Sequence, residues 1–286
     1  MKISLCICTR NRPQDLAKAL ASVYKSLLLP TQIIVSDDSD DLQAAQTQAA
    51  CAAVLGITYI RGPRRGLSAN RNCCLDFLAD DIEAVAYIDD DVVVRPEFLR
   101  EAANALAAAP LKTIVTGREN KNGVEITPHN CSFWGHQEVP PQGEQDYHTV
   151  VINTALFPRK LFEGARFDEA LKYGSEEADI CAQAEAFGYR IRFCPHLVND
   201  HYPSPINRTE YAQVVEASRL YSTYKRYRWL ERNPHKAGMY ALLAPLHILA
   251  GVIKTGRLNN VPVTVGSICT AFHLTQSASR TIDRPL

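Results

Sequence analysis

Apolar positions along the chain follow two rhythms, short continuous runs and stripes at helical spacing. Ile3 to Cys8 is a run of the first kind, read as a strand. Thr9-Arg10-Asn11-Arg12-Pro13 then makes a polar turn whose proline is placed to open a helix. Leu16, Leu20, Val23 and Leu27 recur at helical spacing and predict an amphipathic helix over about 13–28, ended by Pro30. Gln32 to Ser36 reads as a second strand, and an alanine- and glutamine-rich helix follows to about Leu55. Ile57 to Ile60 is a third strand. Ser68 is placed to cap a helix from Ala69 to about Leu78. A buried strand then leads into Asp89-Asp90-Asp91, Pro96 opens a helix over about 96–109, and Thr113 to Thr116 is a further strand. Alternating strands and helices predict a parallel sheet with covering helices.

From Gly117 to His148 the pattern dissolves, with His129, His136 and His148 around Trp134. A loop this long in a compact domain is usually functional or mobile. Order returns with a strand at Thr149 to Phe157, a helix from the acidic Glu176-Glu177-Ala178-Asp179 to about Phe187, and a strand at Tyr189 to Cys194. Pro195 to Pro205 reads as a loop holding His196 and His201. Tyr211 to Trp229 reads as a helix with Tyr221, Tyr224, Tyr227 and Trp229 among Arg219, Lys225, Arg226 and Arg228. Gly238 to Ile253 carries no charge, is shorter than the ~18–20 residues of a membrane span, and holds Pro245 and His247. A helix packed on the domain, one lying in a membrane interface beside basic flanks, and a true span all remain open for it.

The 286 residues suit one large domain, or one with an appendage. Balanced Lys+Arg and Asp+Glu give zero net charge, so no overall basic field points to nucleic acid. The nine cysteines are odd in number and form no CxxC pair, and Met1-Lys2 leads at once into a strand. Reduced thiols in a cytoplasmic compartment are the expectation. Three adjacent carboxylates at a strand's carboxyl end change the picture most. They repel one another, a divalent cation is the usual remedy, and ligands of open α/β sheets bind at that edge. An acidic turn between strand and helix is the plainer reading.

Five stretches line up in order: Ile7-Cys8-Thr9-Arg10-Asn11-Arg12, Val35-Ser36-Asp37-Asp38-Ser39-Asp40, Gly66-Leu67-Ser68-Ala69-Asn70-Arg71-Asn72, Ile88-Asp89-Asp90-Asp91, and Gly174-Ser175-Glu176-Glu177-Ala178-Asp179 with His201 beyond. In this order and spacing the chain resembles family 2 glycosyltransferases of the GT-A fold, over about residues 1–205. The resemblance implies a Rossmann-like, mostly parallel sheet flanked by helices, with 1–205 as the nucleotide-sugar-binding and catalytic domain and 206–286 as a C-terminal helical extension. It implies nucleoside contacts at Thr9 and Arg12, with Asp38, then Asp37, on the uracil edge, and donor phosphates or nucleoside on Arg71. Asp89, Asp90 and Asp91 resemble the family's DxD element, implying Mn²⁺ or Mg²⁺ on Asp91, help from Asp89 through ribose or metal, and His201 as a further metal or phosphate ligand.

Glu176-Glu177-x-Asp179 resembles the family's Glu-Asp-x-Asp, whose second carboxylate is the general base. Glu177 stands there in place of Asp, one methylene longer, so Glu176 and Asp179 stay as alternative bases. One base opposite the leaving group implies inversion at the anomeric carbon. The expected reaction takes a sugar from a nucleotide-diphosphate sugar, UDP-linked first, to a glycan or lipid-linked hydroxyl in polysaccharide assembly. Contact with the inner face of the plasma membrane would come through 238–253, and the acceptor side through the Trp134 loop and the aromatic helix. A non-catalytic nucleotide-sugar or glycan scaffold is one rival. A haloacid-dehalogenase-type phosphatase, with Asp89 as nucleophile and Asp91 as acid/base, is another, but its motif normally opens the fold.

Overall fold

The computed structural model describes residues 1–144, 146–203, 208–256 and 258–282. The N-terminal half runs β1 (Ile3–Thr9), α1 (Pro13–Val23), β2 (Gln32–Asp37), α2 (Leu42–Val54), β3 (Thr58–Arg61), α3 (Leu67–Leu75), β4 (Ala84–Asp89), β5 (Val92–Val93) and α4 (Phe98–Ala107). Then come β6 (Thr113–Lys121), β7 (Val124–Ile126), β8 (Asn130–Cys131), β9 (Gln137–Val139), β10 (Leu156–Pro158), α5 (Glu176–Ala186) and β11 (Arg190–His201). Three long helices close the chain: α6 (Arg208–Lys225), α7 (Pro234–Lys254) and α8 (Val261–Ile282).

Among the described residues one nine-stranded sheet has the order β3-β2-β1-β4-β10-β6-β11-β5, with β7 added to β6. β1 to β4 are parallel, as expected, while β10 runs antiparallel to both β4 and β6. β6 and β11 are therefore parallel to β4, and the carboxyl ends of all three share one edge. β1 is buried along its whole length because helices cover both faces. Alternate residues serve opposite cores. Ile3, Leu5 and Ile7 meet Leu16, Leu20 and Phe98, whereas Cys6 and Cys8 meet Phe157, Phe162 and Ile180.

Several boundaries move for tertiary reasons. α1 stops at Val23 instead of residue 28, because the Leu27 N–H leaves the helix to bond the Pro96 carbonyl at 2.8 Å. Gly66, at φ +110°, starts α3, and Ser68 lies inside it, buried and not capping. A Cβ at Gly66 would come within 2.7 Å of Lys172 Cα, so this close approach needs glycine. The segment expected as one strand over 149–157 instead makes a 3₁₀ turn at Ile152–Thr154 before the short β10. β6 runs on to Lys121 and β11 to His201, so part of each expected loop is strand. Neither is amphipathic enough alone to announce this; they pair with each other, with an irregularity between Phe193 and Val198.

The C-terminal helices share a core with the segment after β8. Tyr221, Tyr227 and Tyr240 are buried with Leu171, against Phe133 and Trp134. Trp134 stacks on His247 at 4.0 Å between ring centroids. The aromatic residues expected on the acceptor side therefore pack on one another. Beyond α6 the chain makes a π-helical turn over Arg226–Leu230. The boundary expected at 205/206 falls outside the described residues. α7 has 21 residues and is long and apolar enough to cross a membrane by length and composition, longer than its uncharged stretch alone suggested.

Candidate active site

β4 ends at Asp89, and Asp90 and Asp91 turn the chain into β5. The turn is tied to the end of β11 by the Tyr202 N–H, 3.0 Å from the Asp91 carbonyl. His201, the last residue of β11, brings its ring to the same place. One ligand atom each from Asp89, Asp91 and His201 lie within 4.8 Å of one another. Asp91 Oδ1 is buried and has no hydrogen-bond partner among the described residues, though His201 Nε2 is 3.1 Å away. Two carboxylates and an imidazole suit Mn²⁺ or another divalent ion of borderline hardness, so the residues present fit the group.

Protein cations temper the repulsion among the acids. Arg12 Nη1 donates to Asp90 Oδ1 at 2.7 Å and Asp91 Oδ2 at 2.9 Å, and the Thr9 hydroxyl donates to Asp90 Oδ2 at 2.7 Å. Thr9 and Arg12, expected on the nucleoside, are thus engaged with the acid turn. Burial pushes Asp90 up to about 6 against the pull of Arg12 and Thr9. Burial also opposes Asp91, but His201 and Arg12 hold it below its ordinary value. Burial lowers His201, yet Asp91 and Glu119 carry it up to about 10.

Arg71, expected to reach the donor phosphates, is 2% exposed. Its guanidinium lies 3.5 Å from Asp89 Oδ1 and 3.7 Å from Glu176 Oε1, over the ring of Phe167. Nη1 remains without a hydrogen-bond partner among the described residues. Asp37 is fully buried and spent on Ser39 N–H, Tyr59 and Arg61. Asp38 accepts the Arg64 N–H at 2.8 Å and sits beside Gly62, where a Cβ would come within 2.3 Å of Asp38 Oδ1 and 2.5 Å of Asn70 Oδ1. Asn70 ties α3 to Ser36 at the end of β2. Asp41, beyond this group, caps α2 through the N–H groups of Gln43 and Ala44.

The three acids of α5 differ sharply. Asp179 is pinned by Lys225 Nζ at 2.8 Å and Gln183 at 2.7 Å, so it joins α5 to α6. Glu176 is buried against Arg71, and burial raises it. Glu177 is half-buried, and nothing hydrogen-bonds its carboxylate among the described residues. Burial pushes it up to about 8; Arg71 pulls down, and Glu176, Asp89 and Glu119 push up.

Two residues of the site escaped sequence reasoning. Glu119, near the end of β6, bonds His201, and Asn153, in the 3₁₀ turn, bonds Asp89. Glu119 lies where the pattern dissolves and had no local signal. Asn153-Thr154, a polar pair inside an apolar run, was the available hint.

The model for "Glycosyl transferase family 2" matches residues 4–164. Succinoglycan biosynthesis protein ExoM of Rhizobium meliloti (strain 1021) is 25% identical over 223 residues, covering 76% of this chain and 71% of its own. A structure of TarS from S. aureus superimposes with TM-score 0.58 at 16% identity, covering 97% of this chain, which spans only 55% of that one. The mannosyltransferase PcManGT of Pyrobaculum calidifontis, solved with GDP-Man and Mn²⁺, gives TM-score 0.59 at 15% identity over 99% of this chain and 88% of its own. At such identities the two structures speak for the GT-A fold alone. The family model, however, spans more than half of the chain, from β1 through the acid turn, and on that ground the chain belongs to glycosyl transferase family 2.

Proposed function

We propose that this chain is a metal-dependent, inverting glycosyltransferase. It takes a sugar from a nucleotide-diphosphate donor, UDP-linked before others, to a hydroxyl of a glycan or lipid-linked acceptor. The observation that carries this reading is the convergence of Asp89, Asp91 and His201 at the sheet edge, within the electrostatic reach of Glu177, whose carboxylate has no hydrogen-bond partner among the described residues.

A bound Mn²⁺ or Mg²⁺ supplies charge neutralisation to the diphosphate of the departing nucleotide. The chain's own residues do the rest. Asp38, packed closely against Gly62, accepts from the imide of the base. Arg71 Nη1, without a hydrogen-bond partner among the described residues, keeps a donor for the developing negative charge beside its ion pair with Glu176. Glu177 takes the proton of the acceptor hydroxyl as its oxygen attacks the anomeric carbon opposite the leaving group, which inverts configuration. Asp179 and Glu176 do not compete for that role, because Lys225 and Arg71 respectively hold them.

The same reading includes a cytoplasmic enzyme resting on the inner face of the plasma membrane. Met239, Leu242, Leu246 and Ile253 form one stripe on α7, each 50–68% exposed. Residues 232–282 contain no Asp or Glu but do contain Arg232, Lys236, Lys254, Arg257 and Arg280. An apolar stripe flanked mainly by basic residues, with Lys236 paired to Glu231, suits an anionic bilayer surface.

The test is a thermal-shift screen of nucleotide-sugars with and without Mn²⁺, followed by donor hydrolysis and transfer assays. A metal-dependent shift for one donor series with turnover is expected. Binding without any turnover would favour the scaffold reading, for which the Glu177 replacement leaves room.

A further inference from the structure

Metal ligands from separate strands must be held at fixed separations before the ion arrives, or ordering them weakens binding. In this chain β4 and β11 are not neighbours; β10 and β6 lie between them. The question is what sets the distance between Asp89 on one and His201 on the other.

Glu119 is 5% exposed, and its Oε2 lies 3.0 Å from His201 Nδ1. The same oxygen accepts from Asn153 Nδ2, also at 3.0 Å. Asn153 is 2% exposed; its Oδ1 accepts the Asp89 N–H at 2.9 Å, and its Nδ2 lies 3.3 Å from Asp89 Oδ2. Its carbonyl accepts from Asn199 Nδ2 at 2.6 Å, two residues before His201 on β11. An unbroken buried hydrogen-bonded path therefore runs from Asp89 through Asn153 and Glu119 to His201. Neither connecting side chain belongs to the ligand cluster itself.

We propose that Glu119 and Asn153 are positioning residues that set the separation and orientation of the two halves of the metal site. Glu119 acts on the ring: by accepting from Nδ1 it fixes the ring orientation that turns Nε2 toward Asp91, and it keeps the Nδ1 proton when Nε2 gives its own up to bind a metal. Asn153 acts on the spacing, because one amide satisfies the Asp89 backbone, the Asp89 carboxylate and Glu119 together. A carboxylate is required at 119, since an amide accepts at Nδ1 but adds no charge. An amide is required at 153, since a carboxylate there would face both Asp89 and Glu119.

This inference rests on the proposed metal site, and the experiment separates the two. Mn²⁺ affinity is measured on the full chain, without donor, by electron paramagnetic resonance of free Mn²⁺. The variants are Glu119→Ala, Glu119→Gln, Asn153→Ala and Asn153→Asp, with Asp91→Ala as the ligand control. Folding is checked by circular dichroism, and the hydrogen bond at His201 Nδ1 is read by ¹⁵N NMR of the ring nitrogens in the metal-free protein. Loss of a partner of this kind costs about 10- to 100-fold in affinity. Glu119→Ala is expected to lose that much and to shift the His201 Nδ1 signal. Glu119→Gln should recover part of the affinity and keep the Nδ1 signal near its wild-type position, and both Asn153 variants should bind more weakly than wild type. A folded Glu119→Ala that binds like wild type, or equal losses in Ala and Gln with an unchanged Nδ1 signal, would overturn the positioning role. A wild-type protein that binds no Mn²⁺ would remove the metal reading itself, and this inference with it.

Discussion

Arg71 and Glu176 lie in van der Waals reach at 3.7 Å, both buried, with Phe167 under the guanidinium. A buried carboxylate and guanidinium at this distance stand or fall together. Arg71→Met should destabilise the fold by about 3–5 kcal/mol, because Glu176 is then left unpaired. The double variant Arg71→Met/Glu176→Gln should recover a large part of that loss. Chemical denaturation of the single and double variants checks it, and equal stability of the two would refute the pairing.

Glu177 carries the pH dependence. Its folded value, about 8, lies above its ordinary 4.5. The folded chain therefore binds an extra proton between those values, and its stability falls as pH rises from 4.5 through 8. Glu177→Gln should raise the melting temperature at neutral and mildly alkaline pH, with the advantage shrinking toward pH 4.5. The base must be ionised, so transfer in wild type should increase with pH toward the same region. Glu177→Gln should lose about 100- to 10,000-fold in transfer while still binding donor. Retained transfer would reassign the base.

Asp91→Ala removes a carboxylate that faces both His201 and Arg12. Metal-stimulated transfer should fall by at least about 100-fold, the kinetic equivalent of a few kcal/mol of lost charge stabilisation. Activity titrated with Mn²⁺ and Mg²⁺ is the measurement. Full activity with no metal response would sink the ligand assignment.

Lys225 is the joint between the sheet domain and the C-terminal helices. Its Nζ lies 2.7 Å from Asp168 and 2.8 Å from Asp179, and Tyr221 donates to the same Asp168 at 2.8 Å. Lys225→Met should cost about 3–5 kcal/mol, since the buried Asp179 and the partly buried Asp168 lose their cation. Hydrogen exchange should then show faster opening of α6 than of β1. A uniform change across the chain would argue against a local joint.

The stripe on α7 is tested with vesicles. Wild type should co-sediment with anionic lipid vesicles, less with zwitterionic ones, and less again at high salt. Leu242→Glu together with Leu246→Glu should weaken vesicle binding by at least about tenfold without altering donor binding. Binding that is unaffected by both changes would place the contact elsewhere.

The chain's own pattern determined its first half. Continuous apolar runs between helical stripes fixed the parallel β1 to β4 core, because strands covered on both faces need apolar residues at every position. It also marked Asp89 to Asp91 as an acid cluster at a strand's end, while Glu177 and His201 became candidates only through the family resemblance, His201 from a segment that reads as a loop. Tertiary structure decided what those residues touch. β6 and β11 owe their length to each other, and Glu119 enters the site only through that pairing, across 82 residues of chain. Arg71 is expected on the donor phosphates or nucleoside, yet Asp89 and Glu176 draw it inward. The Tyr and Trp positions of α6 and the π-helical turn after it look like a ligand face, yet they form a core with Phe133, Trp134 and α7. Local periodicity encodes which side of an element is apolar; it does not encode which distant surface will cover that side, or which distant charge will neutralise a buried one.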